Sequence, residues 1–179
     1  ASEVEPEVSL RFLDRENGRY TLQNNLVHAE LLCQRITERI ALHFSNQALS
    51  GIKTCLREVL VNAIEHGNLE VSFEEKSRII QEQDYMEFLL ARQKEARFAA
   101  RRVVVHYVVN RRAFILRVTD EGAGFDHRAF MARAAGDDVL LMLEHGRGLT
   151  MTRNAFDEMV FNEKGNQVTL KKYISKNRP

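Results

Sequence analysis

Proline is almost missing from this chain: of 179 residues only Pro6 and Pro179 are prolines. With no Pro-rich linker between them, one folded unit is expected over residues 1–179, near the roughly 150 residues of an average domain. Cysteine is equally scarce. Cys33 and Cys55 make no C-x-x-C pair and no zinc set, which excludes a disulfide framework or a metal finger. One disulfide between them stays open as an alternative; two reduced thiols inside a cytoplasmic protein is the preferred reading. Excess charge is lacking too, since 26 Lys+Arg stand against 25 Asp+Glu, leaving +1. Counterion release needs clustered positive charge, so there is no electrostatic case for nucleic acid as the main partner. No apolar run approaches the roughly 20 residues that span a bilayer. The N-terminus is acidic where a secretory signal is basic and apolar. The expectation is a cytoplasmic protein with no membrane partner.

What is present is ordinary globular composition, 44% hydrophobic and 28% charged. A chain of this length buries roughly 70% of its unfolded surface, enough for a core without staples. Val8-Ser-Leu-Arg-Phe-Leu13 alternates like a strand, and Asp14-Arg-Glu-Asn-Gly18 reads as a turn before Tyr20-Thr-Leu22, which together suggest an N-terminal hairpin. From about Asn25, Ala29, Cys33, Ile36, Ile40 and Phe44 recur at helical steps. Ser45-Asn46 and Ser50-Gly51 punctuate, and a second helix is predicted from about Ile52 to Glu65, closed by His66-Gly67. Residues 69–102 are crowded with charge and lack Gly and Pro, and they read as one or two helices with a solvated face. Val103–Val109 and Ala113–Thr119 are β-branched runs joined by three residues, a hairpin. Five of the nine glycines fall at 122, 124, 136, 146 and 148. A short helix from Leu149 to Phe156, a strand Glu158–Phe161, a turn and a last strand Gln167–Tyr173 complete the chain. Helices and antiparallel strands without β-α-β alternation predict an α+β fold: a two-layer sandwich with a mixed, mostly antiparallel sheet and helices on one face.

Three stretches carry chemistry. In Leu56-Arg-Glu-Val-Leu-Val-Asn-Ala-Ile-Glu-His-Gly67, Glu58, Asn62 and His66 are four apart and stack on one ridge of a helix. A carboxylate and a carboxamide one turn apart can hold a proton acceptor and a hard-metal oxygen ligand in fixed relation. In Val118-Thr-Asp-Glu-Gly-Ala-Gly-Phe125, a carboxylate follows a strand and two glycines alternate after it. Such an aspartate can accept from an exocyclic amine, and the glycines let backbone approach a flat ring or phosphate. In Glu144-His-Gly-Arg-Gly-Leu149, Gly-x-Gly opens a helix and offers N–H groups to an anion. Taken singly, each is an ordinary helix surface, turn or helix start. No P-loop occurs, and no β-α-β unit follows the glycines, which excludes a dinucleotide fingerprint.

Taken in order, E-x-x-x-N on a helix, D-x-G-x-G after a strand, G-x-G-L at a helix start and Gly165-Asn-Gln-Val-Thr169 in the last strand resemble the GHKL ATPase superfamily. That superfamily, named for gyrase, the heat-shock chaperone, histidine kinases and MutL, shares the Bergerat nucleotide-binding fold. The resemblance covers roughly residues 25–173. The His-Gly ending of the first motif and Gly146-Arg-Gly-Leu-Thr-Met-Thr-Arg-Asn-Ala-Phe-Asp-Glu-Met159 are similar to the anti-sigma factor serine/threonine kinase branch. The short segment between the glycine boxes also fits that branch, whereas the charged insertion at about 69–102 is longer than in its smallest members.

The resemblance implies ATP and Mg2+ as cofactors. It implies that Asp120 takes the adenine amino group, with Gly122 and Gly124 lining the base and lid hinge and Thr169 supporting from the last strand. Asn62 would supply an oxygen to Mg2+. Gly146 and Gly148, in the box that Leu149 ends, would cradle phosphate, and Arg147 would help with its charge or stand in solvent. Glu58 would orient and deprotonate the attacking hydroxyl. His66 either contacts phosphate or closes its helix. His28, in Val27-His-Ala-Glu-Leu31, lacks the context of a histidine-kinase phospho-acceptor and reads as an ordinary helix histidine. The implied function is an anti-sigma-type kinase that phosphorylates an anti-sigma antagonist and binds a sigma factor or similar partner. The alternatives are a non-catalytic ATP-binding interaction module and the ATP-binding domain of a larger two-component regulator. Leu10, Phe12, Phe44 and Leu49 are expected in the core, with a homodimer surface as their alternative role.

Overall fold

The computed structural model describes residues 14–82, 84–128 and 147–174. Its sheet has the strand order β1 (Arg15–Leu22), β2 (Val103–Asn110), β3 (Ala113–Thr119), β5 (Gln167–Tyr173) and β4 (Glu158–Phe161). Among the described residues all four pairings are antiparallel. The helices are α1 (Leu26–Ile40), α2 (Asn46–Asn62), α3 (Phe73–Glu82), α4 (Tyr85–Arg92), the single turn α5 (Ala96–Ala99) and α6 (Arg147–Ala155).

Alternation along the strands gives the sheet one apolar face. Val105, Tyr107, Leu116, Val118, Val168 and Leu170 from that face join Ile36, Ile40, Leu56, Leu60 and Ile64 of the helical layer in one buried cluster. His106 and Arg117, between those strand positions, are exposed. This is the α+β two-layer arrangement expected from the sequence. Phe44 is buried and Leu49 packs against the core, while Leu10 and Phe12 lie outside the described residues. Cys33 and Cys55 are both free and buried, and burial raises both thiols, Cys33 to about 11.

The start of the sheet departs from expectation. Asp14–Gly18 reads as a turn, yet β1 runs through it from Arg15 to Leu22. The Tyr107 ring fills the space beside Gly18, and a Cβ there would come 2.3 Å from Tyr107 Cε1. Gly18 is a strand glycine that admits an aromatic from the next strand, a role indistinguishable in sequence from turn punctuation. The preceding run, 8–13, lies outside the described residues.

Candidate functional site

The second helix starts earlier than its punctuation suggests. Ser45 is the N-cap, its Oγ accepting from Ala48 N–H at 3.3 Å, and Ser50-Gly51 lie inside α2. A Cβ at Gly51 would sit 3.9 Å from Ala155 of α6, so this glycine lies where α2 and α6 approach. The helix does not stop at His66-Gly67 but widens into a π turn, Ala63–Asn68, with Leu69 N–H donating to Ile64 O at 2.8 Å. An i→i+5 turn adds residues per revolution, so it breaks the four-residue ridge beyond Asn62. His66 is thereby presented differently from a straight helix. Its Nδ1 is 2.6 Å from Val71 O, and because a carbonyl only accepts, Nδ1 carries the proton. Glu65 of the same turn is 2% exposed and pairs with Lys76 Nζ of α3 at 2.6 Å.

Asp120 follows β3. Its backbone is tied to the β4–β5 turn, with Asp120 N–H donating to Asn166 O at 3.0 Å and Asn166 Nδ2 donating to Asp120 O at 2.7 Å. Burial pushes its carboxyl up to about 6, while the Gly122 N–H bonded to Oδ1 at 2.9 Å and the Lys164 charge pull it down. Two glycines make room for it. A Cβ on Gly67 would be 2.5 Å from Asp120 Cγ, and one on Gly122 would be 2.2 Å from Gly67 O. Gly124 (φ +80°) and Gly165 (φ +78°) occupy the left-handed region that favours glycine. A Cβ on the first would strike Lys164 O, and one on the second Phe125 O, so the Asp120 loop and the β4–β5 turn clasp each other.

The third motif meets the first. Gly148, in the first turn of α6, lies where a Cβ would be 2.8 Å from Glu58 Oε2 and 3.7 Å from Asn62 Nδ2. Thr152, fully buried, donates to Gly148 O at 2.7 Å. Gly146 lies outside the described residues, as do the side chains of Arg147 and Leu149.

Between these pieces is a cavity of about 190 Å³ lined by Asn62, His66, Asp120 and Gly124. The first and second motifs therefore face one space. Gly122 stands behind Asp120, and Glu58 stands beside Gly148 rather than on the cavity wall. Thr169 does not reach the cavity. Val168 faces it, and alternation turns Thr169 to the other face of the sheet, paired with Arg117 and Val160. The β5 residues at the cavity are Gln167 and Val168, with Asn166 just before them, and Thr119 Oγ1 donates to Gln167 Oε1 at 3.2 Å.

Sequence reasoning also missed Asn68, fully buried at the end of the π turn. Its Oδ1 accepts from Glu121 N–H at 2.7 Å, and its Nδ2 donates to Asn24 Oδ1 at 2.7 Å. Asn24 in turn donates to Phe98 O at 2.9 Å. This chain of amides joins the Asp120 loop to the start of α1 and to the 69–102 insertion. The asparagine after His-Gly was the visible signal. Phe73, Phe125 and Phe161, which add aromatic walls to the cavity, carried none.

A helical layer over an antiparallel sheet, with a cavity between the Asn62 helix and the loop after β3, is the architecture of the Bergerat ATP-binding fold. The family profile described as Histidine kinase-like ATPase domain matches residues 22–172, and the chain belongs to that family, within the GHKL superfamily. No curated protein matches the chain. Domains of this family bind ATP, generally with Mg2+. Among the described residues no helix is long and apolar enough to cross a membrane.

The residues present fit these ligands. The Asp120 carboxylate lines the cavity, and one bond from Gly122 leaves acceptor capacity for an exocyclic amine. Gly148 leaves open the space beside Glu58 that a side chain would fill. Among the described residues no three His, Cys, Asp or Glu cluster as a metal site. Mg2+ characteristically relies on one or two protein oxygens completed by phosphate and water, and Asn62 can supply one.

Proposed function

We propose that this ATPase domain is an ATP- and Mg2+-dependent serine/threonine protein kinase of the anti-sigma type, whose substrate is a small anti-sigma antagonist and whose second partner is a sigma factor or similar protein. The observation that carries the proposal is the placement of Gly148 against Glu58 and Asn62, a carboxylate and a carboxamide beside the first turn of α6. Asp120 holds the base through its amino group; guanine offers a carbonyl there and leaves the carboxylate unpaired. Asn62 would hold Mg2+, and the ion would supply positive charge to offset that of the phosphates. Gly148, in the first turn of α6, offers its backbone N–H to the phosphates. Glu58 takes the proton of the substrate hydroxyl as its oxygen bonds the γ-phosphorus and the β–γ bridging bond breaks, releasing ADP. Positioning and charge neutralisation supply most of the rate in such transfers, so few side chains need special reactivity.

The test is transfer of labelled phosphate from ATP to a cognate antagonist by the wild-type chain and Glu58→Gln. Expected is serine or threonine labelling by the wild type, with transfer lost and ATP affinity kept in the variant. ATP binding without transfer by the wild type would instead favour a nucleotide-gated interaction module. That second reading draws on the insertion, where Ile80, Met86 and Leu90 of α3 and α4 are exposed.

A further inference from the structure

We infer that the face of the sheet turned away from the helices, over β1, β2 and β3, is a docking surface for an acidic segment of a partner protein. Alternation sends Val105, Tyr107, Leu116 and Val118 into the core and their neighbours to the opposite side. There Arg19 of β1, His106 of β2 and Arg117 of β3 stand directly across from one another in register, all three exposed. Arg15 lies on the same side of β1 and is also exposed. The one acid in these three strands, Glu16, is on the core side, where it accepts from the Tyr107 hydroxyl at 2.6 Å.

Cations at the rim of the sheet are paired, Arg111 with Asp14 at 3.0 Å and Lys171 with Glu158 at 3.1 Å. Among the described residues Arg15, Arg19 and Arg117 have no carboxylate partner. Like charges set across neighbouring strands weaken a sheet. Two guanidinium groups flanking one imidazole therefore cost this sheet stability, a cost that carboxylates lying over the row would offset. The surface is also shaped to receive them. Between Arg15 and Arg19, Asn17 stands opposite Val108, two short side chains between long ones. The result is an open hollow of about 350 Å³ walled by Arg15, Arg19 and His106.

Aliphatic side chains lie beside the cations. Val104, Val108 and Ile115 are half-buried on the same face, and Val160, on β4 across from Thr169, is 60% exposed. Charge interleaved with aliphatics suits a protein segment that carries both carboxylates and apolar residues. Nucleic acid fits less well, because it takes aromatic rings on which bases stack. These three strands turn no Phe, Tyr or Trp outward. A second copy of this chain would bring the same cations and be repelled. The surface lies across the sheet from the cavity, so the inference does not depend on the ATP-binding reading.

The experiment is fluorescence anisotropy with a labelled short peptide of alternating Glu and Val, its Gln-Val and Lys-Val counterparts, and a single-stranded DNA of equal length. Each is titrated with the full chain, with Arg19→Glu/Arg117→Glu, and with Lys53→Glu/Arg78→Glu, which changes net charge equally at exposed positions elsewhere. Expected is binding of the Glu peptide alone by the unsubstituted chain, weakened roughly tenfold or more by reversal at 19 and 117 and by less than about twofold in the control. The reversed variant should gain the Lys peptide. Arg19→Gln and Arg117→Gln singly should each weaken the Glu peptide severalfold, and they decide the matter should the double reversal not fold. No binding of the Glu peptide by the unsubstituted chain overturns the inference, as does equal weakening by the control variant. Tighter binding of the DNA than of the Glu peptide overturns it too and makes the face a nucleic-acid surface.

Discussion

The carboxylate of Asp120 rests directly on the Cα of Gly67, with its three terminal atoms 2.5–2.8 Å from where a Gly67 Cβ would stand. Two sequence motifs far apart in the chain thus share one contact, and the glycine of His-Gly is required by the aspartate. Gly67→Ala should push the carboxylate aside. The expected result is a loss of stability of about 1–3 kcal/mol, as for overpacked sites, with adenine nucleotide affinity falling at least tenfold. Thermal melts with and without ADP check both parts.

Asp120 also sets a pH dependence. Its carboxyl, raised by burial to about 6, accepts most strongly from an amine when ionised. Adenine nucleotide affinity should therefore decline as pH falls through about 6. The free protein should behave oppositely. A raised acid favours the protonated folded state, so this group's support is complete below about 3.8 and is lost as pH rises through about 6. Asp120→Asn should accordingly stabilise the unliganded fold at pH 7–8 by about 1–3 kcal/mol while weakening nucleotide binding. Melting curves at pH 5 and pH 8 test the sign; an equal or larger gain at pH 5 would contradict it.

Gly148→Ala probes the other end. The added carbon meets Glu58 Oε2 at 2.8 Å, the far end of a flexible side chain that can swing away at little cost. Stability should change by less than about 1 kcal/mol, the range of mild repacking. Phosphate transfer should fall sharply because Glu58 is displaced, while nucleoside affinity stays. Parallel measurement of transfer and adenosine binding separates the two.

Glu65 is buried while its partner Lys76 is partly exposed, so removing the lysine strands the carboxylate. Lys76→Ala leaves a carboxylate 2% exposed without its cation and should cost about 2–4 kcal/mol. Glu65→Gln with Lys76→Met should recover most of that loss. Denaturant unfolding of the single and double variants reads the difference.

Much of this site was legible because its parts are local. Glu58 and Asn62 lie one turn apart on a regular helix, and Asp120 follows a strand that alternation marks clearly. What escaped depends on contacts distant in sequence. Nothing in Ala63–Asn68 announces a π turn, because the wider winding is coupled to Gly67 packing on Asp120 and Asn68 bonding to Glu121. Thr169 was assigned by motif resemblance, and a slip of one residue along a strand reverses the face. Gly18 and Gly51 read as breaks because glycine's two uses, bending a chain and letting a neighbour in, look alike in sequence.

The reciprocal clasp at Gly124 and Gly165 has a structural corollary. Each loop is moulded around a carbonyl of the other, so neither can lengthen, shorten or acquire a side chain there alone. The floor beneath Asp120 thus behaves as a single casting, whose two halves can shift only together.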